Sequence, residues 1–419
     1  MGLFKKRKDA IEREKMEKTY EIVCLYCFRH FDHDKVLFRA VEAVDAEGYR
    51  AEADHILDEY RMRFNQGSLG ELPVVLDPAD FGERNKGYLK GILSTLRDDH
   101  KNISSKRLCP YCHNNISASA GFTPSTIISV AGAGRVGKST FIASLIHTIK
   151  AITSYNFDVF CAPITNEMGR KFKFEYEDPL SDHGFLLDAV QKGGVQEPLV
   201  FTFSFADGAK PEIHIVFFDV ACDGVESVHM DIYAAQIRNS SGVIFLVDPL
   251  QFRPISRKIQ LLNHIKYEQV APAEPATVLN NMVYDYIYKA NGSITSIPTA
   301  VVVTKTDLLE VLTFEGEFVR PQSSFFTRYE HRGVLSKTAF DAINEETEEF
   351  IRLTDPNFRN ALKRNFANLG FFGVSALGAH PDAIRQRMAQ FAPVRVDEPL
   401  LWILFRLGYV EGYHEGGRL

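Results

Sequence analysis

The chain has 419 residues, of which 45% are hydrophobic and 24% charged, and its formal net charge is −6. This length can bury a large core in two or three domains, and the mild acidic balance argues against a protein that coats nucleic acid. No apolar run approaches the roughly 20 residues that a membrane-spanning helix needs, and the start of the chain lacks the apolar core of a secretory signal. We therefore expect a cytoplasmic protein without a transmembrane segment.

Residues 1–20 form a charged segment with a helical pattern. Seven lysines and arginines stand against four acidic residues, and the apolar residues form only a thin stripe. The pattern favours a solvated or docking helix over a helix that lies on a membrane surface.

Four of the six cysteines form two Cys-x-x-Cys pairs, Cys24/Cys27 and Cys109/Cys112, and a short strand pattern precedes each pair. In a reducing cytoplasm such pairs indicate a metal site more readily than disulfides. Four thiolates can surround Zn²⁺ tetrahedrally without an open position, so the zinc would stabilise the fold and would not catalyse. Cysteines that are merely buried or redox-active are the alternative. Three histidines are spare candidate ligands: His30, His33 and His113.

The two cysteine pairs are separated by 81 residues, more than a zinc ribbon usually has. A self-contained insertion whose ends lie close together would be tolerated, because loop-closure entropy grows slowly with length. Residues 38–66 and 82–100 show helical patterns. We therefore predict a zinc ribbon over residues 21–120 with a helical insertion over about 33–105.

Polar residues 113–125 predict a linker. A second domain is predicted over 121–419, and its first motif is a glycine-rich loop. An apolar run at 127–130 precedes this loop and a helical pattern follows it, which is the context of a phosphate-binding loop rather than of a structural glycine turn. Inward-facing amides and a helix N-terminus attract phosphate oxygens, so we predict a nucleoside triphosphate site. Its predicted residues are Gly132, Gly134, Arg135, Val136, Gly137, Lys138, Ser139 and Thr140.

Two of these residues have sharper predicted roles. Lys138 would reach the outer phosphates, and the hydroxyl of Ser139 would bind Mg²⁺.

Residues 153–198 show no strong strand pattern and are expected to form a loop that closes over the terminal phosphate. Two strand patterns follow, over 199–205 and 212–218, and the Asp-Gly and the proline between them predict a hairpin. The second strand ends in Asp219, where a carboxylate can hold magnesium through water. A turn residue at the end of a strand is the alternative for Asp219.

Two further buried strands are predicted, over 242–249 and from 298, with an insertion over about 250–297 between them. The later strand ends in Thr304, Lys305 and Asp307. An aspartate at this position can accept two hydrogen bonds from the guanine edge, which adenine cannot offer, and Lys305 would lie across the base.

A last strand ends in Ser375 and Ala376, where a backbone amide can donate to the guanine carbonyl. GTP and GDP are therefore the predicted ligands. Further on, Asp397 is expected to cap a helix that Gly408 ends, and this apolar helix is expected to pack on the sheet rather than on a partner.

Residues 125–378 resemble a GTPase of the TRAFAC class, on the glycine-rich loop, Asp219, the Thr-Lys-Thr-Asp at 304–307 and Ser375-Ala376. The resemblance implies an α/β fold, a Ras-like P-loop GTPase domain whose mixed, mostly parallel sheet has helices on both faces. The predicted hairpin before Asp219 is similar to the antiparallel strand pair of this class.

Residues 218–224, 243–249 and 395–402 resemble the bacterial double-GTPase group. This resemblance implies a small-GTPase-like protein encoded in a multi-gene conflict or defence system.

The sequence departs from the TRAFAC pattern after Asp219. Cys222 stands where the class usually has a glycine, and Asp223 stands where a Gln or Glu often orients the attacking water. The usual switch threonine is not visible, and Thr165 is a distant candidate. With Lys138 and Asp223 as catalytic candidates, we expect GTP hydrolysis that is slow or stimulated by a partner.

Three alternatives remain open. The protein could be a GTP-dependent adaptor that does not hydrolyse GTP, or a GTP-regulated protein whose zinc ribbon binds nucleic acid. An ATPase is disfavoured by Asp307. A protein partner is expected, but the sequence does not identify it.

Overall fold

The computed structural model describes residues 19–41, 50–182, 184–187, 197–206, 208, 210–217, 235–263, 274–282, 295–314, 316–379, 391–414 and 417–418. Most of the predicted charged helix within 1–20 lies outside these residues. None of the helices in the described ranges has the length and apolar character needed to cross a membrane. The chain divides into two compact units, Met1–Thr126 with Val195–Glu197, and Ile127–Gly194 with Pro198–Leu419.

The first unit is built from short strands and one α-helix among its described residues, α1 (His55–Met62). Its strands are β1 (Ile22–Val23), β2 (His30–Phe31), β3 (Leu37–Arg39), β4 (Glu52–Ala53), β5 (Glu71–Leu72), β6 (Val75–Leu76), β7 (Lys86–Leu89), β8 (Ile92–Arg97), β9 (Ile103–Ser104) and β10 (Arg107–Leu108). They form four small sheets, β1-β2, β10-β3-β6, β4-β5 and β7-β8-β9. Two 3₁₀ turns complete the unit, Pro78–Asp80 and Glu83–Asn85.

The two ends of the predicted insertion lie side by side. β3 pairs with β10, so that Phe38 faces Arg107 and Leu37 faces Leu108. The hydroxyl of Ser104 also donates to the carbonyl oxygen of Arg39 at 2.6 Å. Close ends are the condition under which a long insertion between two metal-binding turns costs little loop-closure entropy.

The prediction that residues 82–100 are helical is wrong. β7 and β8 form an antiparallel hairpin in which Leu89 faces Ile92. The connecting residues Lys90 and Gly91 have φ angles of 50° and 85°. Two consecutive left-handed residues form the two-residue turn whose twist suits a hairpin, and this turn decides the structure. Of the other stretch predicted to be helical, 38–66, α1 is the helical part among the described residues.

The described part of the second unit contains a seven-stranded sheet. Its strands are β11 (Ile127–Gly132), β12 (Val159–Pro163), β13 (Leu199–Phe205), β14 (Ile213–Phe217), β15 (Gly242–Val247), β16 (Thr299–Val303) and β18 (Leu369–Gly373). The order across the sheet is β12-β13-β14-β11-β15-β16-β18. The pairs from β14 to β18 are parallel, whereas β12–β13 and β13–β14 are antiparallel. The predicted hairpin and the mixed, mostly parallel sheet are therefore confirmed.

One strand of this sheet was not predicted. β12 lies within 153–198, where a loop was expected, and it pairs with β13 at the edge of the sheet. Its last residue, Pro163, lacks a backbone donor, which an edge strand tolerates better than a central strand does.

Helices surround the sheet. They are α2 (Lys138–Thr148), α3 (Ser154–Phe157), α4 (Asn166–Phe172), α5 (Asp178–Ser181), α6 (Arg253–Asn263), α7 (Pro275–Met282), α8 (Lys337–Thr354), α9 (Pro356–Asn365) and α10 (Glu398–Arg406). π-Helical turns span Ile149–Thr153 and Lys173–Glu177, and 3₁₀ segments span Pro249–Gln251, Thr306–Phe314 and Ser324–Phe326. A small sheet joins β17 (Val334–Ser336) to β19 (Glu411–His414) and β19 to β20 (Gly417–Arg418). α6 and α7 are the α-helices among the described residues of the predicted insertion at 250–297.

The apolar helix α10 packs on the main sheet, as predicted. A Cβ added at Gly370 of β18 would lie 2.8 Å from Trp402 Cε2, so the helix and the sheet are in close contact. The predicted side-chain cap is wrong. The carboxylate of Asp397 makes no capping hydrogen bond to α10 and instead accepts from Thr153 Oγ1 at 2.8 Å. Burial raises the pKa of Asp397.

Candidate functional site

The four cysteines of the two pairs come together in the first unit. Their sulfur atoms lie within 4.8 Å of one another, with 3.7 Å between Cys24 and Cys112 and 3.7 Å between Cys27 and Cys109. A disulfide would bring two sulfurs to about 2.05 Å, whereas thiolates bound about 2.3 Å from a tetrahedral zinc lie about 3.8 Å apart. The cluster therefore has the spacing of a zinc site.

The first pair sits in a tight backbone turn. Cys24 N donates to the carbonyl oxygen of Arg29 at 3.1 Å, and Phe28 N donates to that of Cys24 at 2.9 Å. The amide of Tyr26 approaches Cys24 Sγ at 3.5 Å. Phe28 closes the turn with a left-handed φ of 57°.

The second pair repeats this turn bond for bond. Cys109 N donates to the carbonyl oxygen of Asn114 at 2.9 Å, and His113 N donates to that of Cys109 at 3.0 Å. The amide of Tyr111 lies 3.4 Å from Cys109 Sγ, and His113 has a φ of 55°. A left-handed conformation is unfavourable for a residue with a side chain. Two such residues at equivalent positions indicate that both turns are held in place by the site they form.

The thiols of the cluster differ in the direction in which their pKa is shifted. Burial raises the pKa of Cys24 well above its usual value. Hydrogen bonds from Cys109, Cys112 and Cys24 lower the pKa of Cys27. Zinc bound at this cluster would hold all four cysteines as thiolates.

Two of the three spare histidines have other partners. His113 Nδ1 lies 2.8 Å from Asp54 Oδ1, and Arg39 Nη2 donates to Asp54 Oδ2 at 2.6 Å. All three side chains are buried. Asp54 also caps the start of α1 by accepting from Leu57 N. His30 Nδ1 lies 2.9 Å from an exposed glutamate, Glu21. Among the described residues, the group that could hold a metal ion consists of the four cysteines.

The glycine-rich loop connects β11 to α2 in the second unit. Gly132 ends β11, and a Cβ added there would lie 2.7 Å from the carbonyl oxygen of Leu246, so no other residue fits. Arg135 and Gly137 have φ angles of 64° and 88°, which turn the chain toward the helix. Gly137 is the N-cap of α2 and offers no capping side chain. Amides at such a helix start attract phosphate oxygens, as predicted for this loop.

Lys138 is buried at the start of α2 and bends back over the loop. Its Nζ donates to the carbonyl oxygens of Ala133 at 2.8 Å and Gly132 at 3.3 Å. The first turn of α2 carries no acidic residue. The ammonium of Lys138 and the N-terminus of α2 therefore both contribute positive potential at the glycine-rich loop. Ser139 and Thr140 follow Lys138 in the first turn of α2.

The loop after β16 contacts the glycine-rich loop directly. Thr304 Oγ1 donates to the carbonyl oxygen of Val136 at 3.0 Å and lies 3.2 Å from that of Val247. Lys305 Nζ donates to the carbonyl oxygen of Arg135 at 3.2 Å. Both residues were predicted to belong to the site, and in the structure both contact the glycine-rich loop.

The loop after β18 completes the group. Ser375 Oγ donates to Asp307 Oδ1 at 2.5 Å and accepts from Gly378 N at 2.9 Å. The carbonyl oxygen of Ala376 accepts from Ser144 Oγ of α2 at 2.6 Å. Because β11, β16 and β18 are parallel, their carboxyl ends lie at the same edge of the sheet, where open α/β sheets bind ligands.

Three of the residues predicted around the terminal phosphate lie outside the described residues: Asp219, Cys222 and Asp223. Thr165, the distant candidate for a switch threonine, caps α4 by accepting from Met168 N at 3.2 Å.

One residue of the group was missed by the sequence analysis. Asp248, after β15, lies with Oδ2 2.5 Å from Lys305 Nζ. An acid at the end of a buried strand was the available signal, but its partner lies 57 positions along the chain.

No protein-family model matches the chain. Over 320 residues it is 26% identical to the proposed ESX-1 scaffolding and assembly protein SaeC of Mycolicibacterium smegmatis, a match that covers 72% of this chain and 80% of that protein. Among solved structures, the Arl6 (BBS3) small GTPase of Trypanosoma brucei is 12% identical with a TM-score of 0.26, covering 68% of this chain and 98% of that one. Bacterial selenocysteine-specific elongation factor EF-Sec is 14% identical with a TM-score of 0.25, covering 61% of this chain and 26% of that one.

Proposed function

We propose that the second unit binds guanine nucleotide with Mg²⁺ and acts as a switch whose GTP hydrolysis is slow or stimulated by a partner. The observation that supports this most is the meeting of three loops at one sheet edge. Thr304 and Lys305 contact the phosphate loop, and Asp307 is bonded to Ser375. The resemblance to TRAFAC-class GTPases supports the same proposal.

Each loop has a role in binding. The amides at the start of α2 and the ammonium of Lys138 would bind phosphate oxygens. Lys138 would then give up its hydrogen bonds to the carbonyl oxygens of Gly132 and Ala133. Asp307 would accept from the two donors of the guanine edge, and the amide of Ala376 would donate to the guanine carbonyl. Magnesium would be held by Ser139 and, through water, by Asp219, and would neutralise phosphate charge.

Hydrolysis would proceed by in-line attack of water on the terminal phosphate. Lys138 would stabilise the charge that develops on the phosphate oxygens. Asp223 would orient the attacking water, although its side chain is one methylene shorter than that of glutamate.

Replacing Asp307 by asparagine tests the guanine assignment. Xanthine carries a carbonyl where guanine carries an amino group, so an amide donor at position 307 should favour xanthosine diphosphate over GDP. We expect the Asp307→Asn variant to lose GDP affinity roughly 10- to 100-fold, as for a mispaired buried contact, and to gain affinity for xanthosine diphosphate. Asp355→Asn is the control, because the carboxylate of Asp355 caps α9 and, in the described contacts, accepts only from Phe358 N. Unchanged nucleotide preference rejects the assignment.

Turnover is tested separately. Purified protein should hydrolyse GTP faster than its Lys138→Ala variant. Equal rates would reject hydrolysis while leaving the binding proposal standing.

We also propose a structural zinc ion at Cys24, Cys27, Cys109 and Cys112. The sulfur spacing and the two matching turns support it. Because four cysteines leave no open coordination position, the ion would stabilise the first unit.

A nucleotide-dependent scaffold that needs no hydrolysis is the second candidate function. The likeness to a protein described as an ESX-1 scaffolding and assembly protein favours it over the defence role that the double-GTPase resemblance implies. Proteins encoded beside this one should then bind it differently in the presence of GDP and of a non-hydrolysable GTP analogue, as measured by calorimetry. Equal affinity in both states rejects the switchable scaffold.

A further inference from the structure

Asp248 is a buried acid with one ordinary structural role. Its side chain is 3% exposed. Oδ1 accepts from Leu250 N at 2.8 Å and its own amide donates to Gln251 Oε1 at 2.9 Å, which caps the 3₁₀ turn Pro249–Gln251. Asparagine or serine caps such a turn about as well as aspartate does. The cap therefore does not explain why this buried side chain carries a charge.

The second carboxylate oxygen explains it. Asp248 Oδ2 lies 2.5 Å from Lys305 Nζ, and the same ammonium donates to the carbonyl oxygen of Arg135 at 3.2 Å. The ammonium is thus held between a charged oxygen and the phosphate loop. Charged pairs with this geometry are stronger than neutral hydrogen bonds.

The stem of the Lys305 side chain runs along the glycine-rich loop. Its backbone is left-handed, with a φ of 52°. Along the stem, Cε lies 3.7 Å from the position that a Cβ on Gly137 would take. The side chain is therefore held at its ammonium and passes beside the glycine-rich loop.

We propose that Asp248 is a positioning residue of the nucleotide site, which holds the ammonium of Lys305 so that the lysine stem forms a wall for the purine ring. The inference rests on the proposed binding of guanine nucleotide. A free lysine has many rotamers, and their loss on binding opposes affinity. Asp248 removes this cost in advance by ordering the side chain before nucleotide arrives.

The Asp248→Asn variant tests the proposal. Asparagine has one oxygen, so if it keeps the cap to Leu250 it turns donors toward the ammonium of Lys305. We expect a fluorescent GDP analogue to leave this variant about ten-fold faster than wild type, as for loss of one charged hydrogen bond. Release is measured on loaded, folded molecules, so a smaller folded fraction does not imitate the effect.

Asp77→Asn is the matched control. Asp77 also precedes a proline and caps a 3₁₀ turn, Pro78–Asp80, by accepting from Ala79 N at 2.8 Å. It lies in the first unit, and no hydrogen bond among the described residues joins its carboxylate to a lysine. Release from this variant should equal that from wild type.

A double-mutant cycle separates positioning from general loosening. Lys305→Met alone should also speed release about ten-fold, and Asp248→Asn should add less than two-fold to Lys305→Met, because the ammonium is already gone. The preference for GDP over xanthosine diphosphate should stay unchanged in Asp248→Asn, in contrast to Asp307→Asn.

The outcomes are distinguishable. Multiplied effects in the double variant, or wild-type release from Asp248→Asn, overturn the inference and leave guanine binding intact. Failure of the wild-type protein to bind GDP overturns the proposed function, and the inference falls with it.

Discussion

The hydroxyl of Ser375 holds one oxygen of the Asp307 carboxylate while accepting from the amide of Gly378. These bonds fix the plane of a carboxylate that would otherwise rotate about its last torsion angle. Two parallel hydrogen bonds to a base edge require that plane to be correct before the base arrives. In the proposed nucleotide site, Ser375 would therefore contribute to the recognition of guanine, although it follows a different strand from Asp307.

Replacing Ser375 by alanine should lower GDP affinity about ten-fold, because a hydrogen bond to a charged group is lost. Titration with a fluorescent GDP analogue measures the change. Ser336→Ala is the control, since Ser336 caps α8 by accepting from Ala339 N. Wild-type affinity in the Ser375→Ala variant would contradict the role of this hydroxyl.

The buried group of Arg39, Asp54 and His113 makes the first unit sensitive to acid. Burial alone would raise the pKa of Asp54, but hydrogen bonds from the Leu57 amide, Arg39 and His113 outweigh it and lower that pKa. The stabilisation is therefore complete above about pH 4, the unfolded value, and is lost as pH falls through the folded pKa.

Replacing Arg39 by methionine should cost about 3–5 kcal/mol of unfolding free energy at neutral pH, because a buried carboxylate loses its cation. The pKa of Asp54 should rise, so that acid destabilisation begins at a higher pH than in wild type. Urea unfolding at several pH values measures both effects. If Arg39→Met and wild type have the same free energy of unfolding at every pH, the ion pair of Arg39 and Asp54 does not stabilise the fold.

Residues whose chemistry is local could be predicted from the sequence. Lys138 follows a glycine loop, and Asp307 follows a strand at a fixed distance. Asp248 could not be assigned a role, because its meaning depends on Lys305, and only the parallel pairing of β15 with β16 brings the two together.

At the scale of elements, the two cysteine turns form a single cluster of sulfur atoms although they are far apart in the chain. Each turn offers two sulfurs and the same set of backbone bonds. Neither turn alone can saturate a tetrahedral ion.

Zinc content tests this arrangement. Wild-type protein should carry about one zinc per chain, and Cys109→Ser should carry almost none and lose circular dichroism from the first unit. Cys161→Ser is the control, because Cys161 lies on β12, outside the cluster, and burial raises its pKa to about 12. Equal zinc in Cys109→Ser and wild type would show that the cluster is not the site.

The hairpin of β7 and β8 depends on its turn. Gly91→Ala should lower the free energy of unfolding by about 1 kcal/mol, because alanine is strained at a φ of 85° while no atom lies within 4 Å of the added Cβ. Gly82→Ala is the matched control, since Gly82 is equally open but has a φ of −68°. Urea unfolding compares the two, and equal stabilities would contradict a left-handed turn.

Elements were predicted best where periodicity and turn signals agreed, as in the hairpin of β13 and β14. Residues 82–100 were mistaken for a helix because their apolar spacing suits both structures, and the Lys90–Gly91 turn decides between them. β12 was missed because a five-residue strand that ends in proline gives little pattern, and its stability comes from pairing with β13.

Across the second unit, a buried ionic group connects α10 to the loop that carries Ala376. Ser375 and Val394 exchange backbone hydrogen bonds of 3.1 and 2.8 Å. Next to Val394, Arg395 donates to both oxygens of Glu398 at 2.7 and 2.8 Å and to the carbonyl oxygen of Thr327 at 2.8 Å. The loop that carries Ser375 and Ala376 is therefore anchored to α10.

Replacing Glu398 by glutamine should cost about 3–5 kcal/mol of unfolding free energy, because Arg395 is left buried without a counter-charge. GDP affinity should fall with it, since the loop at Ser375 loses its anchor. Glu349→Gln is the control, because the ion pair of Glu349 with Arg352 is exposed. Its loss should leave the free energy of unfolding and the GDP affinity unchanged. Thermal unfolding and GDP titration measure both quantities, and wild-type behaviour in Glu398→Gln would contradict the anchor.

The strand order has a consequence for how the protein is made. The last of the four cysteines is residue 112, whereas the proposed nucleotide site needs residues from Gly132 to Ala376. At ~5–20 residues per second, those roughly 240 residues take about 10 to 50 s to synthesise. A nascent chain can thus bring the four cysteines together early, whereas the apolar β11 has to wait for its neighbours β14 and β15 in the sheet. We expect the nascent chain to be most prone to aggregation during that interval.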